Sequence, residues 1–220
     1  MTTTLKTSFL NDFLTKISRI STGLDEEAIL WDHLINNKEI SEGCLSDFCH
    51  LLRQIPDPFQ KQMNRPSSFF YLAIEKGHAR LVQILINFSA QTGCLFEVLS
   101  GTYCDDSNET TPLHQACKIG NADVIKILLD AGSLLLVTDL YSGCLPLTLA
   151  IESQKYEAVK VILEHAENLG ILQEVLNPPL NNPDELSPVQ TACKAGDGSI
   201  ISLLLRARAS IFNPATAAFY

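Results

Sequence analysis

The chain has 220 residues, 46% of them hydrophobic, which is enough for a continuous core in one or two compact units or in one extended array. Sixteen Lys and Arg against 25 Asp and Glu leave a net charge of −9, so nucleic acid or an anionic membrane would meet net repulsion, and no basic run offsets it. Seven cysteines (Cys44, Cys49, Cys94, Cys104, Cys117, Cys144 and Cys193), an odd number without a CxxC pair, argue against a disulfide framework and for a reducing, cytoplasmic setting.

The first twenty residues, MTTTLKTSFLNDFLTKISRI, have no apolar signal region because Asn11 and Asp12 interrupt it, and no later stretch is long enough to span a membrane. Lys6, Lys16 and Arg19, with Leu10, Phe13, Leu14 and Ile17 at helical spacing, fit a transit peptide, but a periodic apolar face is more commonly a packing face. Beyond them, LDEEAILWDHLINN and SEGCLSDFCHLLRQI read as an amphipathic helix pair ended by Pro56 and Pro58. Residues 1–60 are therefore expected to form a helical cap that shields the open face of the segment after Pro58.

From residue 61 the chain repeats itself. TPLHQACKIGNADVIKILLDAGS, starting at Thr111, aligns with SFFYLAIEKGHARLVQILINFS, LPLTLAIESQKYEAVKVILEHA and SPVQTACKAGDGSIISLLLRARAS, anchored on Ala73, Ala116, Ala150 and Ala192. Each copy predicts an alanine-centred helix, a tight turn and a second helix with apolar residues eight, nine, eleven and twelve positions past the anchor. Copy two supplies Val124, Ile125, Ile127 and Leu128; copy four supplies Ile200, Ile201, Leu203 and Leu204. Thr111-Pro112 and Ser187-Pro188 put a hydroxyl N-cap before a proline at the first helical position, and Gly77, Gly120 and Gly196 sit where the chain must reverse. A unit this short cannot bury its own apolar face, so the copies are expected to stack.

With TPLHxA, a central glycine, a VxxLL-type helix and a closing AG, copy two resembles the ankyrin repeat. The resemblance implies an all-α solenoid of four helix-turn-helix repeats over residues 61–212 (about 68–89, 111–133, 145–166 and 187–210), with an N-terminal helical cap and a tail over 213–220. It also implies that His114 is structural, tying neighbouring repeats together. Copy one departs from the pattern, with Phe69, Phe70 and Tyr71 in place of PLH, and Thr148 and Gln190 replace the histidine in copies three and four.

The anchor intervals are 43, 34 and 42 residues, against a period of about 33 for such repeats. Two lengthened fingers result, over residues 90–108 and 167–184, each expected to prolong the second helix or add a short third one before a polar loop. GCLFEVL at Gly93 parallels GILQEVL at Gly170, and Ala73 to Ala150 spans the same 77 residues as Val98 to Val175, so a pair of repeats is the true period. Past Leu205 only a short tail remains, which predicts an uncapped last repeat covered by a partner or by a further segment.

Enzyme chemistry finds no positive support. Cys44, Cys49 and His50 are too close on one short helix for a nucleophile and its base, and the spacing of the cysteines suits neither zinc nor another metal. Helical Cys44, Cys49, Cys117 and Cys193 are expected to be small buried hydrophobes. Asp105, Asp106, Glu109, Asp184 and Glu185 read as solvated loop charges, and no phosphate loop, GxSxG or HExxH occurs, so no cofactor is expected.

The function expected is protein-protein interaction through a concave groove and its fingers. Carried across from the family, the partner-binding positions are Glu75 and Lys76; Ser107, Asn108, Lys118 and Ile119; Tyr141, Ser142, Glu152 and Ser153; and Asp184, Lys194 and Ala195. Tyr141 ranks first among them as an aromatic anchor. The alternative is an N-terminal recruiting domain of a larger enzyme whose catalytic part lies beyond residue 220. The degenerate, insertion-bearing array also resembles effectors that intracellular bacteria deliver into the host cytosol or nucleus to capture a host protein.

Overall fold

The computed structural model describes residues 69–101, 103–105, 108–139, 143–178 and 186–208, and the expectations for residues 1–60 and 213–220 lie outside them. The chain divides into two compact units, Met1–Gly101 and Thr102–Tyr220.

The first unit contains α1 (Phe69–Glu75), α2 (Ala79–Thr92) and α3 (Leu95–Ser100). Phe70, Tyr71, Ala73 and Ile74 of α1 are buried, as are Leu81, Val82, Leu85 and Ile86 of α2, so the apolar stripe falls at the spacing of one helical face. The finger expected after this pair begins as a helix: α2 runs on to Thr92, Gly93 turns with φ 80°, and α3 buries Val98. Tyr71 Oη donates to Gly101 O at 2.8 Å, which ties α1 to the end of that added helix.

The second unit opens with a hairpin of β1 (Tyr103–Asp105) and β2 (Asn108–Thr110), antiparallel with Tyr103 opposite Thr110 and Asp105 opposite Asn108. This hairpin is what the polar loop of the first finger becomes. Helices α4 (Pro112–Ile119), α5 (Ala122–Asp130), α6 (Pro146–Glu152), α7 (Tyr156–Asn168), α8 (Leu172–Leu176), α9 (Pro188–Ala195) and α10 (Gly198–Arg206) come after it. Helix α6 packs between α4 and α9, while α7 packs between α5 and α10, so first helices form one layer and second helices the other. This helical two-layer stack is the arrangement expected of an ankyrin-type solenoid.

Local chemistry sets the helix ends. Thr111 Oγ1 accepts from His114 N, and Ser187 and Gln190 form a reciprocal capping box, with Gln190 N donating to Ser187 Oγ at 3.3 Å and Ser187 N donating to Gln190 Oε1 at 2.9 Å. Asn121 and Asp197 accept from the first turns of α5 and α10. The alanine anchors are all buried, but the second-helix stripe lies at eight, nine, twelve and thirteen positions past the anchor, as Val124, Ile125, Leu128 and Leu129 illustrate, while Ile127 is half-buried. In α10 only Ile200 and Leu204 of the stripe are buried, and Leu205 is exposed.

A second expectation is also overturned. Cys117 is fully buried, but Cys193, at the equivalent place one residue past its anchor, is exposed. That position faces the following first helix: Ile151 of α6 is sealed there, whereas among the described residues no first helix follows α9. The second finger, by contrast, keeps the parallel read from GILQEVL. Gly93 and Gly170 both turn with positive φ, and Cys94 N and Ile171 N donate to Ser89 O and Ala166 O at 3.0 Å in each case. Val98 and Val175 are correspondingly buried.

Candidate functional site

A layered stack places equivalent positions side by side, and in the second unit the ends of the first helices form a row. Lys118 and Ile119 end α4, Glu152 ends α6 with Ser153 as its C-cap, and Lys194 and Ala195 end α9. In each pair the first residue is exposed and the second half-buried. Along the row the charges alternate: ammonium, carboxylate, ammonium.

The turns behind the row hold these ends together. Gly120 has φ 86°, and the stem of Lys155 from the next turn lies so close over its Cα that any side chain there would meet it. The next turn has no glycine: Gln154 takes φ 56°, a conformation that costs a non-glycine residue about 1 kcal/mol. Its side chain offsets part of that cost, since Gln154 Nε2 donates to Ala195 O at 2.6 Å and links the end of α6 to the end of α9. Nothing in the letters SQK marks a left-handed turn, and neither Gln154 nor Lys155 is among the contact residues expected from the family.

At the other end of α4, in its first turn, His114 is fully buried. Its Nε2 lies 3.1 Å from Cys144 O and its Nδ1 lies 2.7 Å from Thr111 Oγ1. Of the two neutral tautomers, the one with its proton on Nε2 satisfies both, donating to the carbonyl and accepting from the threonine hydroxyl. Cys144 O also accepts from Asp139 N at 3.0 Å, and Cys144 N donates to Asp139 Oδ1 at 3.3 Å, so His114 clasps the base of the next finger. Burial lowers the His114 pKa despite the nearby Asp139 charge and the carbonyls of Cys144 and Val137, which favours the neutral ring. The histidine thus ties one helix pair to the next, as expected.

The remaining predicted residues are placed apart or not described. Glu75 and Lys76, both exposed, close α1 in the first unit, and Asn108 begins β2. Ser107, Tyr141, Ser142 and Asp184 lie outside the described residues, as do Cys44, Cys49 and His50. Burial raises the Cys117 thiol far above its ordinary range, which leaves it protonated and unreactive. Among the described residues no group of three or more His, Cys, Asp or Glu is placed to hold a metal ion, and no helix is long and apolar enough to cross a membrane.

Comparison with known proteins agrees with this geometry. The family model for ankyrin repeats, in three copies, matches residues 39–139 and again residues 70–173. The chain is also similar to the solved ankyrin repeat domain of Bcl-3, described as a unique member of the IkappaB protein family. The TM-score is 0.53 at 23% identity, over 64% of this chain and 57% of that one. That likeness concerns the fold, and this chain spans little more than half the length of the Bcl-3 chain. No curated protein sequence matches it.

Proposed function

We propose, from the premise that this chain belongs to the ankyrin-repeat family, that it binds a partner protein across the row of first-helix ends and the adjoining fingers. Ankyrin repeats are generally protein-protein interaction modules, and here the carrying observation is the alternation of Lys118, Glu152 and Lys194 on three packed helices. A rigid row of alternating charge fits a partner with the opposite alternation, and such complementarity sets register and selectivity more than raw affinity. Ile119, Ser153 and Ala195 give the row a small, partly apolar floor. The family's contact positions extend the surface to Glu75, Lys76, Ser107, Asn108, Tyr141, Ser142 and Asp184.

Tyr141 is the proposed anchor, because a large aromatic supplies contact area at little cost in conformational entropy. The test is affinity capture with the full chain, quantified with the recovered partner and repeated with Tyr141→Ala and with Lys118→Glu combined with Lys194→Glu. Partner affinity should fall by about tenfold or more in each, with the thermal unfolding midpoint unchanged. A partner that binds both variants as tightly as the parent chain would overturn this surface.

A further inference from the structure

The described residues expose eight large apolar side chains, and four of them, Leu134, Leu136, Val137 and Leu169, line one open cavity of about 550 Å³. The cavity lies at the C-terminal ends of α5 and α7, between Leu129 and Asp130 on one side and His165, Leu169 and Ile171 on the other. None of the six residues of the first-helix row lines it. The junction that walls it reads GSLLLVTD, in which Leu135 is the one apolar side chain that is buried, beside Ser133 and Asp139, and would suffice to anchor the loop. Connecting segments are ordinarily polar, so the other three apolar residues require a reason.

Two further features point to an occupant. Ser133 lines the same cavity, is more than nine-tenths buried, and its Oγ has no hydrogen-bond partner; such a group is uncommon in a folded chain. The chain that supplies the lining is also acidic. Within four residues along the chain of the lining positions stand the exposed carboxylates of Asp130, Glu164, Glu167 and Glu174 and a single ammonium, Lys126. Asp130 is shared with His165 at 3.8 Å. Both α5 and α7 also bring their C-termini here, where the helix dipole is negative.

We propose that this groove is a second docking site, separate from the first-helix row, for an amphipathic helical segment of another protein carrying Lys or Arg beside its apolar face. The exposed leucines line a cavity that is open to solvent, so the complementary shape is a ridge of side chains at i, i+3 and i+4 rather than one enclosed molecule. Asp130 at the cavity wall and the C-terminal ends of α5 and α7 then meet the basic flank.

The test is selection of a displayed peptide library against the full chain, followed by fluorescence anisotropy with each synthesised hit. The expected hits carry Leu, Ile or Phe at helical spacing with flanking Lys or Arg, and they weaken as salt is raised. Leu136→Ser combined with Leu169→Ser should weaken them by about tenfold or more, and Glu164→Lys by a smaller factor. Both leucines are exposed, so the double variant should keep its thermal midpoint. Lys118→Glu combined with Lys194→Glu should leave these hits unaffected, which separates this site from the row. The proposal is overturned by a library that yields no hits, by hits without the basic amphipathic pattern, or by hits that bind the leucine variant as well as the parent. Sedimentation showing self-association that the leucine variant abolishes would assign the groove to a second copy and overturn it too.

Discussion

Tyr71 in the first unit and His114 in the second stand at the same place, two residues before a buried alanine, and each reaches a backbone carbonyl 30 residues further on. Tyr71 Oη donates to Gly101 O at 2.8 Å, and His114 Nε2 pairs with Cys144 O at 3.1 Å. Gln190, at the same place in the last pair, does otherwise: its amide oxygen turns back to accept from Ser187 N. What the positions share is therefore a polar group at the start of a first helix, and whether it couples to a later segment depends on the group. The phenol and the imidazole are long enough and rigid enough to cross to the following junction, whereas the amide satisfies its own helix cap.

The strongest way to break this comparison is His114→Ala. It removes two hydrogen bonds at a fully buried site and leaves a hole where the ring packed, which should cost about 2–4 kcal/mol, measured by urea unfolding. A loss below about 0.5 kcal/mol, within the scatter of surface substitutions, would show that the clasp on Cys144 contributes nothing. The same variant isolates a pH effect that Tyr71 has no means to produce. Because burial lowers the folded-state pKa of His114 from 6.5, both folded and unfolded chains hold it neutral above that value and its contribution is complete. As pH falls below 6.5 the unfolded chain takes up the proton first, so stability declines until the folded ring is protonated as well. The stability gap between the parent chain and His114→Ala should accordingly narrow from about pH 7.5 to about pH 5.5, and a gap that widens would contradict the neutral, burial-depressed ring.

Tyr71→Phe comes next. It keeps the buried ring, which meets Phe70 edge-on at 6.3 Å, and removes the donor to Gly101 O. The expected cost is about 1 kcal/mol, with faster amide exchange in α3, the helix that this bond secures. Unchanged protection over Leu95–Ser100 would mean that the end of α3 is held by Val98 packing alone.

The letters carried much of this and missed part of it for identifiable reasons. Alanine anchors, hydroxyl caps before prolines and the reversing glycines are local requirements, so they can be read position by position: Thr111, Ser187, Gly120 and the paired Gly93 and Gly170 all stand where their chemistry demands. The left-handed Gln154 was not legible, because its conformation is fixed by stacked neighbours and by the carbonyl of Ala195 that its side chain reaches. Cys117 and Cys193 occupy the same helical position and differ in exposure because burial there belongs to the next helix in the stack. The Tyr71 bond was hidden for the same kind of reason, since its acceptor lies 30 residues away. Of the candidate site, the first-helix row was legible from alignment; the groove at Leu134 to Val137 was not, because an apolar run in a junction says nothing of which residues will be left outside.

Gln190→Ala should have the smallest effect and sharpens the comparison most. The substitution leaves the backbone bond from residue 190 to Ser187 Oγ in place and removes only the return bond to Ser187 N, so the cost should be about 0.5–1 kcal/mol. If the cap is locally satisfied, it has no energetic link to the clasp that His114 forms on Cys144. In a double-mutant cycle with His114→Ala the two losses should then add to within about 0.5 kcal/mol. A larger coupling would mean that the start of α9 senses the junction before α6 through the helix packed between α4 and α9, so that this end of the last helix pair, like the far end that Gln154 links to Ala195 O, would be coupled to its predecessor, without the crossing hydrogen bond that Tyr71 and His114 use.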